Sequence, residues 1–441
     1  MFNKKIARDY IDIVKEDPDL YYKDFKEMEE RVKNSSAIYK GEPIPVTYQG
    51  MLIGQDHKKD FDHISKTLMT ITRKIVGEYL ENPDYRKLFH HSSDLEELIL
   101  TDPGYEVPVP MCRYDMFYNG IGDYKFCEFN TDGSSAMNED QVIGSIMLDS
   151  LAHKKMGETY DLSLFELFDS WVEASYEIYK TADQARENPN VAILDFTGLG
   201  TSKEFERFKK AYEDRGFACR IVDPRDVVYK DGAAYDGDFR LDLVYRRAVT
   251  VEIMRHKDEI KDYLNAYKDK AFVQIGSFRS QIMHSKLIFQ IFRDPMTQRI
   301  LTEEENAYLE DHIPFTEILD TKEDYDRVTS NRDGYIIKPF DSYASDGVYA
   351  GREYTDEEWK KIIDDAYQND YIYQEYVDMS KVEIVEFDQE GKLSVGSFSL
   401  VMGMFIYNEK FQGLYTRIGN EALISGARDY YTAPNILAIK K

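Results

Sequence analysis

The chain has 441 residues and a formal net charge of −26, from 56 basic and 82 acidic side chains. That excess excludes a nucleic-acid backbone as the main partner, because phosphate binding needs a basic face. The 42% hydrophobic and 14% aromatic content supplies a core and excludes global disorder, and the length predicts two or three units or one interlocked fold.

The first hundred residues read as helical and charged. Across 59–80, Phe61, Ile64, Leu68, Ile71, Ile75 and Tyr79 recur near helical spacing. The opening residues lack the apolar core of a signal peptide, and no apolar run nears the roughly 20 residues needed to span a bilayer. Cys112, Cys127 and Cys219 show no CxxC spacing and read as reduced thiols. The chain therefore reads as cytoplasmic, with no membrane partner; nothing in it signals a number of subunits.

After the turn signal Asp102-Pro103-Gly104, residues 107–118 read as a strand, 118–123 as a Gly-rich turn and 124–130 as a returning strand. Helices follow to about 183. A strand at 191–196, a helix at 204–214 and a strand at 217–222 form a βαβ-like unit. A turn at 229–232 and a strand at 241–245 lead to Arg246-Arg247. Ser285-Lys286 opens an apolar run, 287–292, read as a helix. Beyond it come a strand at 335–339, a helix at 356–367 and strands at 371–377, 381–387 and 393–402.

Two distant segments carry the chemistry. In the first, Arg113 and Asp115 share one strand face, and Glu128 and Asn130 share another. A turn centred between Ile121 and Gly122 sets Asp115 opposite Glu128 and Arg113 opposite Asn130. Opposed carboxylates repel unless a cation sits between them, and hard oxygen ligands suit Mg²⁺. Alone, the segment reads equally as an exposed polar hairpin. In the second, Lys338 ends an apolar strand before a loop of small residues, 341–351, that includes Ser345 and Gly347. Small residues let backbone N–H groups approach phosphate oxygens, although no GxxxxGK[ST] sequence is present. The strand at 371–377, with Gln374, Glu375, Tyr376 and Val377, offers a backbone edge to a base, or is a solvated strand face. Lys286 either reaches a phosphate or sits in solvent. Arg246, Arg247 and Arg279 are candidate anion contacts, and Arg417 is a weaker one.

Together these segments resemble the ATP-grasp superfamily. The metal set precedes the lysine and hinge by about 200 residues, an order that resembles the circularly permuted ATP-grasp group and the synthetase domain of glutathionylspermidine synthase. The resemblance covers roughly 105–440. It implies a mixed α/β (α+β) ATP-grasp fold in permuted order: a helical N-terminal region (1–104), a metal-binding part (105–185), a Rossmann-like pre-ATP-grasp unit (186–250) and a nucleotide-binding part (251–441). It also implies ATP and Mg²⁺ as cofactors. Asp115, Glu128 and Asn130 would hold the metal, and Arg113 would act near the acyl phosphate or the substrate carboxylate. Lys286, Lys338, Ser345, Gly347 and Gln374 to Val377 would hold the nucleotide, and Ser134, Ser135, Arg246 and Arg247 would face the substrate. The implied reaction is ATP-dependent, ADP-forming amide synthesis from a small-molecule or peptide carboxylate and an amine. The chain departs from the bifunctional members in lacking an amidase part with a Cys nucleophile. It also has Thr131-Asp132-Gly133-Ser134-Ser135 where those members continue with a Thr-Pro-type stretch. Two other readings of the same residues are a phosphotransferase on this fold and a non-catalytic nucleotide-binding or scaffold protein.

Overall fold

The computed structural model of the chain describes residues 4–39, 41–198, 202–341, 346–424 and 430–441. The predicted apolar stripe becomes the helix Gln55–Glu81, and Phe61, Ile64, Leu68, Ile71, Ile75 and Tyr79 are all buried. Burying such side chains contributes roughly 1.5–3 kcal/mol each. The surface pair Lys58–Asp62 on the same helix is worth at most about 0.5 kcal/mol, so packing, not charge, holds the helix. Its partner is an antiparallel sheet: the Phe61 ring lies 4.8 Å from that of Tyr118 and 5.3 Å from that of Phe411.

This central sheet runs in the order Tyr431–Thr432, Lys410–Gly419, Leu393–Tyr407, Met111–Gly120 and Asp123–Asn130, with Lys381–Phe387 also paired to Leu393–Tyr407. A second sheet is wholly parallel, in the order Val273–Ile275, Leu243–Arg246, Val191–Leu194 and Cys219–Val222. Its two middle strands are buried at every position, as strands covered on both faces must be. The expected βαβ unit is present, with helix Ser202–Asp214 between parallel neighbours. A third, antiparallel sheet orders Thr316–Ile318, Tyr371–Glu375, Tyr335–Pro339 and Tyr349–Ala350. It has its own core around Ile337, Trp359, Ile363 and Tyr373. A small sheet joins Met51–Ile53, Asn435–Lys440 and Tyr160–Leu164.

The sheets join segments on either side of the boundaries drawn from sequence. Strand 111–120 pairs with 393–407, so the expected units 105–185 and 251–441 share the central sheet. Strand 273–275 extends the parallel sheet past residue 250. The region 1–104 contributes strands as well as helices. Locally, 287–292 shortens to one helical turn, Ile288–Ile291. The turn at 229–232 narrows to Asp231-Gly232, both at positive φ (51° and 74°). No helix among the described residues is long and apolar enough to cross a membrane, and all three cysteines are free.

Candidate functional site

The hairpin has the expected register where it matters: Arg113 faces Asn130 and Asp115 faces Glu128. It does so for a reason hidden from the sequence. Asn119 adds a residue to the first strand, moving Tyr118 onto Tyr124, and Cys127 adds one to the second, moving the pairing back. These two bulges on opposite strands cancel. A bulged residue leaves the ladder, and the Cys127 carbonyl accepts a hydrogen bond from Lys338 Nζ at 2.8 Å, across 211 residues of sequence.

Asp115 is sealed, with a side chain only 1% exposed. Arg113 forks onto both of its oxygens, at 2.7 and 3.0 Å, and Arg417 adds a third bond at 2.7 Å. The Tyr415 ring lies beside both guanidiniums, 5.5 and 5.8 Å from its centroid. Gly403, paired with Asp115, makes room for the cluster: a Cβ there would meet Arg113 Cδ at 2.6 Å and Asp115 Oδ1 at 2.7 Å. Lys286 Nζ lies 3.5 Å from Glu128 Oε1, and its backbone N–H is fixed to Phe340 O at 2.8 Å. Burial opposes ionisation of Glu128, but Lys286, Lys338, Arg113 and Arg417 together outweigh it and hold the carboxyl down at about 2. Burial lowers the Lys338 ammonium below the usual lysine range, partly offset by Cys127 and Glu128. Four cations cluster around these two carboxylates, a local positive excess that favours an anion in a partly desolvated site.

Asp115, Glu128, Lys286, Lys338 and Arg417 line one part of a cleft of about 760 Å³, and Ile336, Val348, Met379, Val401 and Ile424 give it apolar walls. The predicted hinge, Gln374 to Val377, borders the same cleft. The N–H groups of Glu375 and Tyr376 are already given to Phe315 O and Gly334 O, at 2.8 and 2.9 Å. A base at this edge must therefore use Val377 or the carbonyls. Gln374 is not free to read a base, since both ends of its amide are bonded, to Lys338 and to Thr316.

Other sequence candidates fall elsewhere. Arg246 and Arg247 are not open anion contacts. Their side chains are 1% and 3% exposed and pair with Asp132 and Glu204, each at 2.6 Å, because a buried charge must be compensated. Arg247 also donates to the Ser134 carbonyl, and Arg113 Nη1 donates to the Ser135 carbonyl at 2.9 Å. The Ser134 hydroxyl donates to Asn130 O at 2.6 Å. These contacts hold the 131–136 segment inside the fold, beside a second cavity of about 280 Å³ that Ser134, Arg246 and Arg247 border with Trp171 and Tyr245. Arg279 and Asn130 do not line the main cleft. Gly347 borders it only through its neighbour Val348 and takes φ +70°, a conformation that other residues rarely adopt. Ser345 lies outside the described residues. Arg417, the weaker candidate from sequence, lines the main cleft. Its signal is the period-two spacing that puts Tyr415 and Arg417 on one strand face.

Among the described residues, no group of three or more His, Cys, Asp or Glu side chains is arranged to hold a metal. The oxygen donors nonetheless fit a hard cation in part. Glu128 is ionised and borders the cleft, whereas the unpartnered end of the Asn130 amide is Nδ2, an N–H donor and not a ligand for a cation. Asp115 joins Glu128 only if a guanidinium releases it.

No family model matches the chain, and no curated protein matches it. Among solved structures, a glutathione synthetase-like effector from Globodera pallida aligns over 96% of this chain and 98% of its own, at 11% identity and a TM-score of 0.58. That likeness shows a shared fold. A putative gamma-glutamylcysteine synthetase from Methylobacillus flagellatus covers 83% of this chain and 87% of its own, at 9% identity and a TM-score of 0.40. D-alanyl-alanine synthetase A from Vibrio cholerae covers 57% of this chain and 88% of its own, at 10% identity and a TM-score of 0.28. These two are too loosely superposed to bear on the argument.

Proposed function

We propose that the chain is an ATP-dependent carboxylate–amine ligase of the glutathionylspermidine synthase-like, circularly permuted ATP-grasp type. One observation carries the reading: Asp115, Glu128, Lys286, Lys338 and the 374–377 edge, drawn from distant segments, border one cleft with a cationic part and apolar walls. A nucleoside triphosphate is a polyanion on a flat apolar base and matches both features. The fold shared with a glutathione synthetase-like protein supports the same class of chemistry.

In this reading the carboxylate attacks the terminal phosphorus of ATP, the bond to the bridging oxygen breaks, and ADP leaves. An amine then attacks the acyl carbon, and phosphate departs as the amide forms. Lys286 and Lys338 bind the phosphates. Arg113 and Arg417 stabilise charge on the transferred group once Asp115 frees them, so the protein acts by positioning and electrostatics. Glu128 and Asn130, joined by Asp115, would hold Mg²⁺, which offsets phosphate charge. No protein nucleophile is needed.

The closed state of Asp115, with three bonds from two arginines, favours a second reading: a nucleotide binder without turnover. The deciding experiment offers Mg-ATP and hydroxylamine with a panel of carboxylates, peptides included. Carboxylate-dependent ADP release with a hydroxamate product supports the ligase. A stable phosphate ester supports a phosphotransferase. Tight ADP binding with no turnover supports the binder.

A further inference from the structure

The third sheet holds a chain of polar contacts that reaches Lys338 from behind. Thr316, Gln374 and Ile336 form one cross-strand row, and Lys338 lies two residues beyond Ile336 on the same face. The Thr316 hydroxyl donates to Pro314 O at 3.0 Å, so its oxygen is left to accept. It accepts from Gln374 Nε2 at 2.9 Å. That contact fixes which end of the amide faces which way, because a hydroxyl whose hydrogen is committed can only meet the NH₂ end. The carbonyl end then faces Lys338 Nζ at 2.8 Å. An ammonium needs an acceptor there, and a reversed amide would set two donors against each other. With the Cys127 carbonyl as second acceptor, also at 2.8 Å, two of the three ammonium N–H groups are held and one remains for the cleft that Lys338 lines.

We infer that Thr316 and Gln374 are positioning residues for Lys338. Thr316 sets the amide, the amide sets the ammonium, and the ammonium meets a nucleotide phosphate. Thr316 is fully buried and does not line the cleft, so it acts only through this chain. The inference rests on the nucleotide reading of the cleft.

Calorimetry with two probes, ADP and adenosine, tests it on the full chain. Thr316→Val keeps the shape and removes the hydroxyl. ADP affinity should fall several-fold, up to about tenfold, the scale of one hydrogen bond between neutral groups, while adenosine, which carries no phosphate, should keep its affinity. Thr316→Ser should restore ADP binding. Equal ADP affinity in wild type and Thr316→Val overturns the inference and leaves the nucleotide reading standing. So does a parallel loss of adenosine, which would mean a damaged slot. Wild-type protein that binds neither probe overturns both. If Thr316→Val shows no cooperative melting transition, Thr316→Ala, which also removes the hydroxyl and lies outside the cleft lining, takes its place, with the same selective loss of ADP expected and the same parallel loss of adenosine counting against the inference.

Discussion

Gly403 and Glu128 show how single residues set the character of the cleft. The missing side chain at Gly403 admits the Arg113–Asp115 fork, and a methyl group there has no flexible surface atom to push aside. Gly403→Ala should cost about 1–3 kcal/mol by overpacking, read in chemical unfolding, and should loosen the hold of both arginines on Asp115. Glu128 makes a prediction with a definite sign. Its folded pKa, about 2, lies below the ordinary 4.5, so it contributes stability above pH 4.5, and that contribution is lost as pH falls towards 2. Glu128→Gln should flatten the stability profile in that window, and ADP binding should gain because an anion leaves a phosphate site. Mg²⁺-dependent turnover should instead fall by orders of magnitude. A variant with unchanged turnover would remove Glu128 from the metal site.

At the level of elements, helix Met137–Leu148 and strand Asn435–Lys440 are joined by a buried acid. Asn435 donates to Asp140 Oδ1 through its backbone N–H at 3.1 Å and its amide at 3.0 Å, while Asp140 Oδ2 has no partner. Burial pushes the carboxyl up to about 7, against the hydrogen bonds from Asn435. A raised acid keeps its proton in the folded state, so its contribution is full below pH 3.8 and is lost as pH rises through about 7. Asp140→Asn should therefore gain more stability over wild type at pH 8 than at pH 4, in paired urea titrations. Such elements were only partly legible in the sequence. The helix at 55–81 could be read because six apolar positions keep one period. The facing of Asp115 and Glu128 could be read because the turn sits between Ile121 and Gly122, although the two cancelling bulges could not. The link from Lys338 through Gln374 to Thr316 was invisible, because strand order in a sheet depends on contacts between distant segments and no local pattern encodes it. The ion pairs of Arg246 and Arg247 were hidden for the same reason: their partners, Asp132 and Glu204, lie far away in sequence.

Across the whole molecule, the chain closes on itself. The central sheet needs both 111–130 and 393–432, and the last strand, 435–440, runs between 51–53 and 160–164. Cutting the chain after residue 434 removes the middle strand of that small sheet. It exposes the backbone edges of both neighbours and empties the buried places of Ile436 and Ala438, which pack with Leu52, Ile143 and Tyr160. Loss of a large buried aliphatic side chain alone costs about 2–5 kcal/mol, a large part of the roughly 5–15 kcal/mol that holds a typical domain. The truncated chain should therefore fail to give the cooperative thermal transition of the full chain in circular dichroism, and it should not bind ADP, although every residue proposed to touch nucleotide remains in it. A truncated protein that melts cooperatively and binds ADP like the full chain would show that the small sheet is dispensable and that the cleft is held by the central and third sheets alone.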